Sequence, residues 1–149
     1  TTHYCQINDN VHAYNPFKHR HMPEIQEKIK ILKGKDLPIN FVPHLLPLTR
    51  GMLVSVFATL KDDINVNQVL NNSYKNCEFI RLRDKPVDVK SVAGTNFCDL
   101  FVAKNGKALF VSSAIDNLLR GASSQAVVNA NILCGYEEYE GIPKIAYVP

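Results

Sequence analysis

The seven glycines of this 149-residue chain are scattered, and no two of them lie two positions apart. A GxGxxG turn is therefore impossible, and a P-loop is missing too. These absences exclude a recognisable nucleotide-binding fold within the chain. There is no GxSxG nucleophile elbow and no HExxH metal pair. No apolar run approaches bilayer length, and the opening "TTHYCQIND" lacks a basic region followed by a hydrophobic stretch. Neither a membrane span nor a leader is expected. Cys5, Cys77, Cys98 and Cys134 form no CxxC, which points to reduced thiols and a cytoplasmic setting. The chain opens on Thr1 without an initiator Met, so a processed or excised chain is expected.

Apolar residues make up 46% and charged residues 21%, an ordinary globular balance. One domain over 1–149 is expected, large enough to bury a core. The net charge is only +3. Residues 18–35 hold six Lys/Arg against two Glu, yet only Phe17 accompanies them, whereas nucleic-acid binding wants exposed aromatics among the cations. No nucleic-acid partner is expected.

Residues 4–8 are expected as a strand followed by an Asn8-Asp9-Asn10 turn. Pro23 marks the start of a helix carrying Ile25, Ile29 and Leu32, with Glu24 able to pair with Lys28 and Gly34 as its stop. "LPINFVPHLLP" and "GMLVSVFATLK" read as extended runs, and Asn65 can cap a helix ending near Asn76. "EFIRLR" is a further short strand. Asn105-Gly106 is the preferred pair for a two-residue hairpin loop, setting Lys104 opposite Lys107, Phe101 opposite Phe110 and Leu100 opposite Val111. Asp116 caps a long helix to about Leu133, before Gly135. The sum is an α+β fold of about six mostly antiparallel strands with three helices on one face. The other face, apolar in part, calls for a partner subunit.

The segment "HRHMPEI" places His19 and His21 ahead of a helix N-terminus. If extended there, both imidazoles project to one side and Arg20 to the other. The partial positive charge of the helix end favours neutral imidazole, as a base requires, and attracts a phosphate or carboxylate. Glu24 can fix the tautomer of one ring. The alternative is a helix-capping His21 beside a solvated His19. A second alternative is a metal site drawn from His3, Cys5, His12, His19 and His21, although their spacing matches no standard zinc framework. Arg50 in "LPLTRG" is either solvated or a carboxylate or phosphate clamp.

Four stretches, "HRHMPEI" (19–25), "FVPHLLPLTRGML" (41–53), "VAGTNFCDL" (92–100) and "SAIDNLLRGASSQAVVNANIL" (113–133), resemble, in order and spacing, the N-acetyl-gamma-glutamyl-phosphate reductase family of the semialdehyde dehydrogenase group. The resemblance spans essentially the whole chain but only the second domain of the family enzyme. It implies a glyceraldehyde-3-phosphate-dehydrogenase-like C-terminal domain. It also implies a nucleotide-binding domain, binding NADP(H) and carrying the cysteine nucleophile, upstream of residue 1. No cysteine here stands in the family's "GCYP"-like setting. The implied reaction is NADPH reduction of N-acetylglutamyl phosphate to the semialdehyde and phosphate, in arginine biosynthesis, by a homodimer or homotetramer. Within the site so implied, His19, lying further forward, is expected as acid/base, His21 and the nearby Glu24 as substrate-positioning or supporting groups, and Arg20 and Arg50 as substrate-binding groups. The resemblance implies that this chain also supplies the subunit contact. No cofactor is expected on this chain alone. Ser123 and Ser124 stand where the family commonly has Ala or Gly, and Arg120 where it commonly has Lys. The other classes left open are a self-contained metal-binding protein and a purely structural dimerisation module.

Overall fold

The computed structural model describes residues 3–146, which gather into two compact units, 3–49 and 50–146. In the first unit α1, Tyr4–Ile7, is a single helical turn where a strand is expected. The Gln6 amide donates to the His3 carbonyl and the Asn10 amide to the Ile7 carbonyl, both at 2.9 Å. These local bonds satisfy the backbone with no strand alongside. The turn at Asn8 and Asp9 is present, with Asp9 at φ 56°. β1, His12–Ala13, pairs antiparallel with β2, His44–Leu45. The run "LPINFVPHLLP" thus yields only a two-residue ladder, since Pro38, Pro43 and Pro47 each remove a backbone donor.

α2, His21–Lys33, begins two residues before Pro23. Proline is tolerated in this first turn because the amide it lacks has no intrahelical partner there. Gly34 ends the helix as expected, at φ 68° with its amide donating to the Lys30 carbonyl at 2.8 Å. The stripe expected to pack inward is open instead: no α2 residue is buried, and Leu32 is 79% exposed.

The second unit is built on a four-stranded sheet. β3, Met52–Thr59, lies at one edge, followed by β6, Ala108–Ile115, then β5, Cys98–Asn105, and β4, Ile80–Leu82. β3–β6 and β5–β6 are antiparallel, while β4–β5 is parallel. The number of strands agrees with expectation, but they divide into a mixed sheet and a separate ladder. The helices also depart from three on one face: four α-helices and a π-helical turn are present among the described residues.

The β5–β6 hairpin is displaced from its expected register. Asn105 pairs with Ala108, leaving Gly106 and Lys107 as the loop, and only Gly106 takes a positive φ, 56°. Tertiary contacts hold this register. The Leu60 amide donates to the Lys107 carbonyl at 2.8 Å, Lys107 Nζ reaches the Lys61 carbonyl at 2.7 Å, and Lys104 Nζ pairs with Asp63. The displacement keeps every side chain on its expected face, because side chains alternate with period two. Phe101 therefore meets Phe110 diagonally, centroids 6.4 Å apart, while Phe57 opposes Phe110 directly across β3–β6 at 5.2 Å.

α3, Val66–Tyr74, is capped as expected: Asn65 Oδ1 accepts from the Gln68 amide at 3.1 Å. The expected long helix after Asp116 is instead a π-helical turn, Leu119–Ser123, continuing into α4, Ser124–Cys134. The Gly121 amide bonds the Asp116 carbonyl and the Ser123 amide the Leu118 carbonyl, each five residues back. Val128 of α4 packs with Phe79 and Ile142 in the core, with Phe97 against them.

Gly51 sits at the entry to β3 at φ 112°, where an added Cβ would lie 2.6 Å from the Val89 Cβ. Both the backbone angle and the space exclude a side chain. Gly51→Ala is expected to lower stability by about 2–3 kcal/mol. A fall in urea midpoint at constant m-value is the measurement that checks it.

Candidate active site

The loop between β1 and α2 is bent by two left-handed residues, Asn15 at φ 44° and Phe17 at φ 58°. Asparagine adopts this region readily, but for phenylalanine it carries strain of about 1–3 kcal/mol. Backbone bonds hold the bend. The Tyr14 amide donates to the Pro43 carbonyl at 3.0 Å, and the Phe17 amide to the Phe41 carbonyl at 3.1 Å. The result is a cluster of rings around His19, with centroids at 4.6 Å for His21, 5.3 Å for Tyr14 and 5.4 Å for Phe41.

His19 and His21 do come together, although not by the extended geometry expected of them. Arg20 between them is helical, at φ −56° and ψ −27°. The rings meet because His19 folds back over the helix end, its Nδ1 accepting the His21 amide at 3.2 Å. Arg20 holds the N-cap position, and it is the His19 ring, not that of His21, that accepts the first amide of α2. The other His19 nitrogen, Nε2, lies 3.3 Å from the Tyr14 hydroxyl. The exposed His21 ring has no hydrogen-bond partner among the described residues. Glu24, in the first turn, bonds neither histidine, and Arg20 is exposed.

The proposed metal ligands do not converge. Among the described residues, which include His3, Cys5, His12, His19 and His21, no three His, Cys, Asp or Glu side chains gather as a metal site would require. The metal-binding alternative is corrected on that ground.

Arg50 belongs to the second unit, where its guanidinium donates to Asp116 Oδ2 at 3.1 Å. Asp116 is fully buried and accepts three further bonds: from the Gly94 amide on Oδ2, and from the Leu118 and Leu119 amides on Oδ1, at 2.8, 2.8 and 2.9 Å. Burial pushes this carboxyl up. The three amides and the Arg50 cation outweigh that effect and hold it below the ordinary carboxylate value. Gly51 joins the same node, its amide donating to Asn117 Oδ1 at 2.7 Å. Arg50 is therefore neither merely solvated nor wholly free: one nitrogen is committed, and its side chain remains 36% exposed.

All four cysteines are free thiols. Burial pushes the Cys98 thiol up, Arg120 opposes that shift and Asp99 adds to it, leaving a thiol poorly suited to act as a thiolate nucleophile. Among the described residues no glycine-rich strand-to-helix turn of the kind that cradles a dinucleotide is present. The parallel pair β4–β5 is connected by the loop 83–97 rather than by a helix opened by a glycine-rich turn. Sequence reasoning missed two participants: Tyr14, for which the only signal is the Asn15-Pro16 turn before His19, and Asp116 as the partner of Arg50, separated by 66 residues.

No helix of the described residues is long and apolar enough to cross a membrane. The family described as "Semialdehyde dehydrogenase, dimerisation domain" matches residues 1–117. The N-acetyl-gamma-glutamyl-phosphate reductase of Sulfurovum sp. (strain NBC37-1) is 64% identical over 149 residues, covering 100% of this chain and 44% of that protein. The protein of the same name from Wolinella succinogenes is 55% identical over 148 residues, covering 99% and 44%. The chain thus spans less than half the length of these relatives. Among solved structures, aspartate semialdehyde dehydrogenase from Francisella tularensis is similar in fold, with a TM-score of 0.69 at 12% identity, covering 86% of this chain and 40% of that one. With a match to the family over most of its length, this chain belongs to the semialdehyde dehydrogenase dimerisation-domain family.

Proposed function

We propose that the chain is the assembly and substrate-handling part of an NADP-dependent, cytoplasmic N-acetyl-gamma-glutamyl-phosphate reductase, and that its two units serve as one domain of that enzyme. The 64% identity to the Sulfurovum protein over the whole chain is the single observation that carries the reading. The dinucleotide and the nucleophilic cysteine belong to sequence outside these residues. Within them, the His19–His21 pair beside the helix end supplies acid–base chemistry, with Glu24 in the same first turn of α2 but bonded to neither ring. Arg20, in the first unit, supplies cationic charge for the carboxylate or phosphate of N-acetylglutamyl phosphate, and Arg50, in the second, keeps the nitrogens not bonded to Asp116 for an anion of its own. The chain on its own should give no turnover with NADPH and the acyl phosphate. A longer polypeptide containing the upstream sequence should be active. Turnover by the chain alone would overturn this division of labour, and an inactive longer polypeptide would overturn the proposed reaction.

The subunit contact is assigned to the sheet. β3 is an edge strand whose side chains are open on both faces, with Phe57 80% and Leu53 53% exposed on one and Met52 and Val56 nearly half exposed on the other. An apolar, unpaired edge of this kind is a template for association. A homodimer or homotetramer built by a two-fold contact there is expected to bury about 2,000 Å² or more in total. Sedimentation equilibrium at low micromolar concentration tests it, and a single species at the monomer mass of 16.7 kDa throughout would rule the contact out.

A further inference from the structure

His19 is held at both ring nitrogens, and the two partners differ in kind. A backbone amide can only donate, so the His21 amide at 3.2 Å requires a lone pair on His19 Nδ1. The neutral ring then carries its proton on Nε2, and the partner of Nε2 among the described residues is the Tyr14 hydroxyl at 3.3 Å. Tyr14 must therefore accept with its oxygen. The geometry reinforces this arrangement. Tyr14 stands edge-on to the His19 ring at an interplanar angle of 79°, and Phe41 lies against the same ring. The left-handed Asn15 and Phe17 bend the chain sharply enough to bring residues 14 and 19 together. Phe17 itself is 56% exposed, so burial of its side chain is not what holds that backbone conformation.

We infer that Tyr14 is a positioning residue: its hydroxyl oxygen accepts the His19 Nε2 proton and, with the His21 amide on Nδ1, fixes the orientation and tautomer of His19. The ring so fixed stands 4.6 Å from His21, edge to face, and braces it. His19 has no lone pair left for substrate, whereas His21 has both nitrogens unengaged among the described residues. The exchange of a proton with substrate accordingly falls to His21. This division of roles within the pair rests on the acid–base reading proposed above, but the tautomer lock does not.

The test uses the ¹⁵N-labelled chain and long-range proton–nitrogen correlations through the imidazole rings, at a pH where the rings are neutral. His19 is expected as a single tautomer, Nδ1 unprotonated and Nε2 protonated, with the Nε2 proton visible because its hydrogen bond slows exchange with water. In Tyr14→Phe, which removes one oxygen and no carbon, that proton should exchange and its signal vanish. A protonated Nδ1 in the unsubstituted chain, or an Nε2 proton equally visible in Tyr14→Phe, would overturn the inference. In the longer polypeptide, Tyr14→Phe should lower kcat about 10-fold with little change in KM, the worth of one hydrogen bond. Unchanged kcat alongside the expected spectra would overturn the role of the pair in catalysis and leave the lock itself established.

Discussion

Asp116→Ala should lower the stability of the second unit by about 4 kcal/mol, among the larger effects a single substitution produces. The carboxylate it removes accepts from three backbone amides, Gly94, Leu118 and Leu119, and from Arg50. A donor left without a partner costs about 1–3 kcal/mol, less where water can reach it, as it does near the half-exposed Leu118. Denaturant unfolding followed by circular dichroism reads the loss directly. An effect below about 1 kcal/mol would show that water replaces the carboxylate at all four donors. The same group gives a pH dependence. Its folded pKa is depressed, so its stabilisation is present above the unfolded carboxylate value, about 3.9, and is lost as pH falls from there through the folded value. Asp116→Asn should flatten that acid-side loss without changing the shape of the stability profile between pH 6 and 8, as unfolding followed across the pH range would show.

The second large effect is catalytic. In the longer polypeptide, His21→Asn should lower kcat by about 100- to 10,000-fold, the usual contribution of a positioned acid or base. His19→Asn should cost less, since it removes a brace rather than the ring that exchanges the proton. Single-turnover kinetics with the acyl phosphate separates the two. A larger loss at His19 than at His21 would return the acid–base role to His19, the assignment that sequence alone favours.

Legibility followed the range of the interaction. Caps and stops that depend on a few neighbouring residues read correctly from sequence: Gly34 and Gly135 in the left-handed conformation, Asn65 bonded to the Gln68 amide. The hairpin at Gly106 was legible as a hairpin but not in register, because Lys104 and Lys107 are held by residues 60–64, some 40 positions earlier. Residues 4–8 alternate as a strand would, but a strand needs a neighbour, and the local bonds of α1 win where none is present. At the histidines, the proximity of His19 and His21 was legible from their spacing, whereas their unequal bonding was not. That inequality depends on Tyr14 and on the left-handed backbone at Phe17, a conformation no propensity of phenylalanine predicts.

The connection between β3 and its partner has a consequence during synthesis. β3 ends at Thr59, and the strand it pairs with is not complete until Ile115. At translation speeds of 5–20 residues per second, the segment "MLVSVFAT" waits roughly 3–11 s for β6. Throughout that interval it is an uncharged, proline-free stretch with high β-propensity, the composition that pairs readily with copies of itself. Nascent chains on neighbouring ribosomes of one message therefore present matching sticky strands to one another before either has a sheet. The yield of correctly folded chain should consequently depend on how well those strands are kept apart until β6 emerges, and slower translation should lower it.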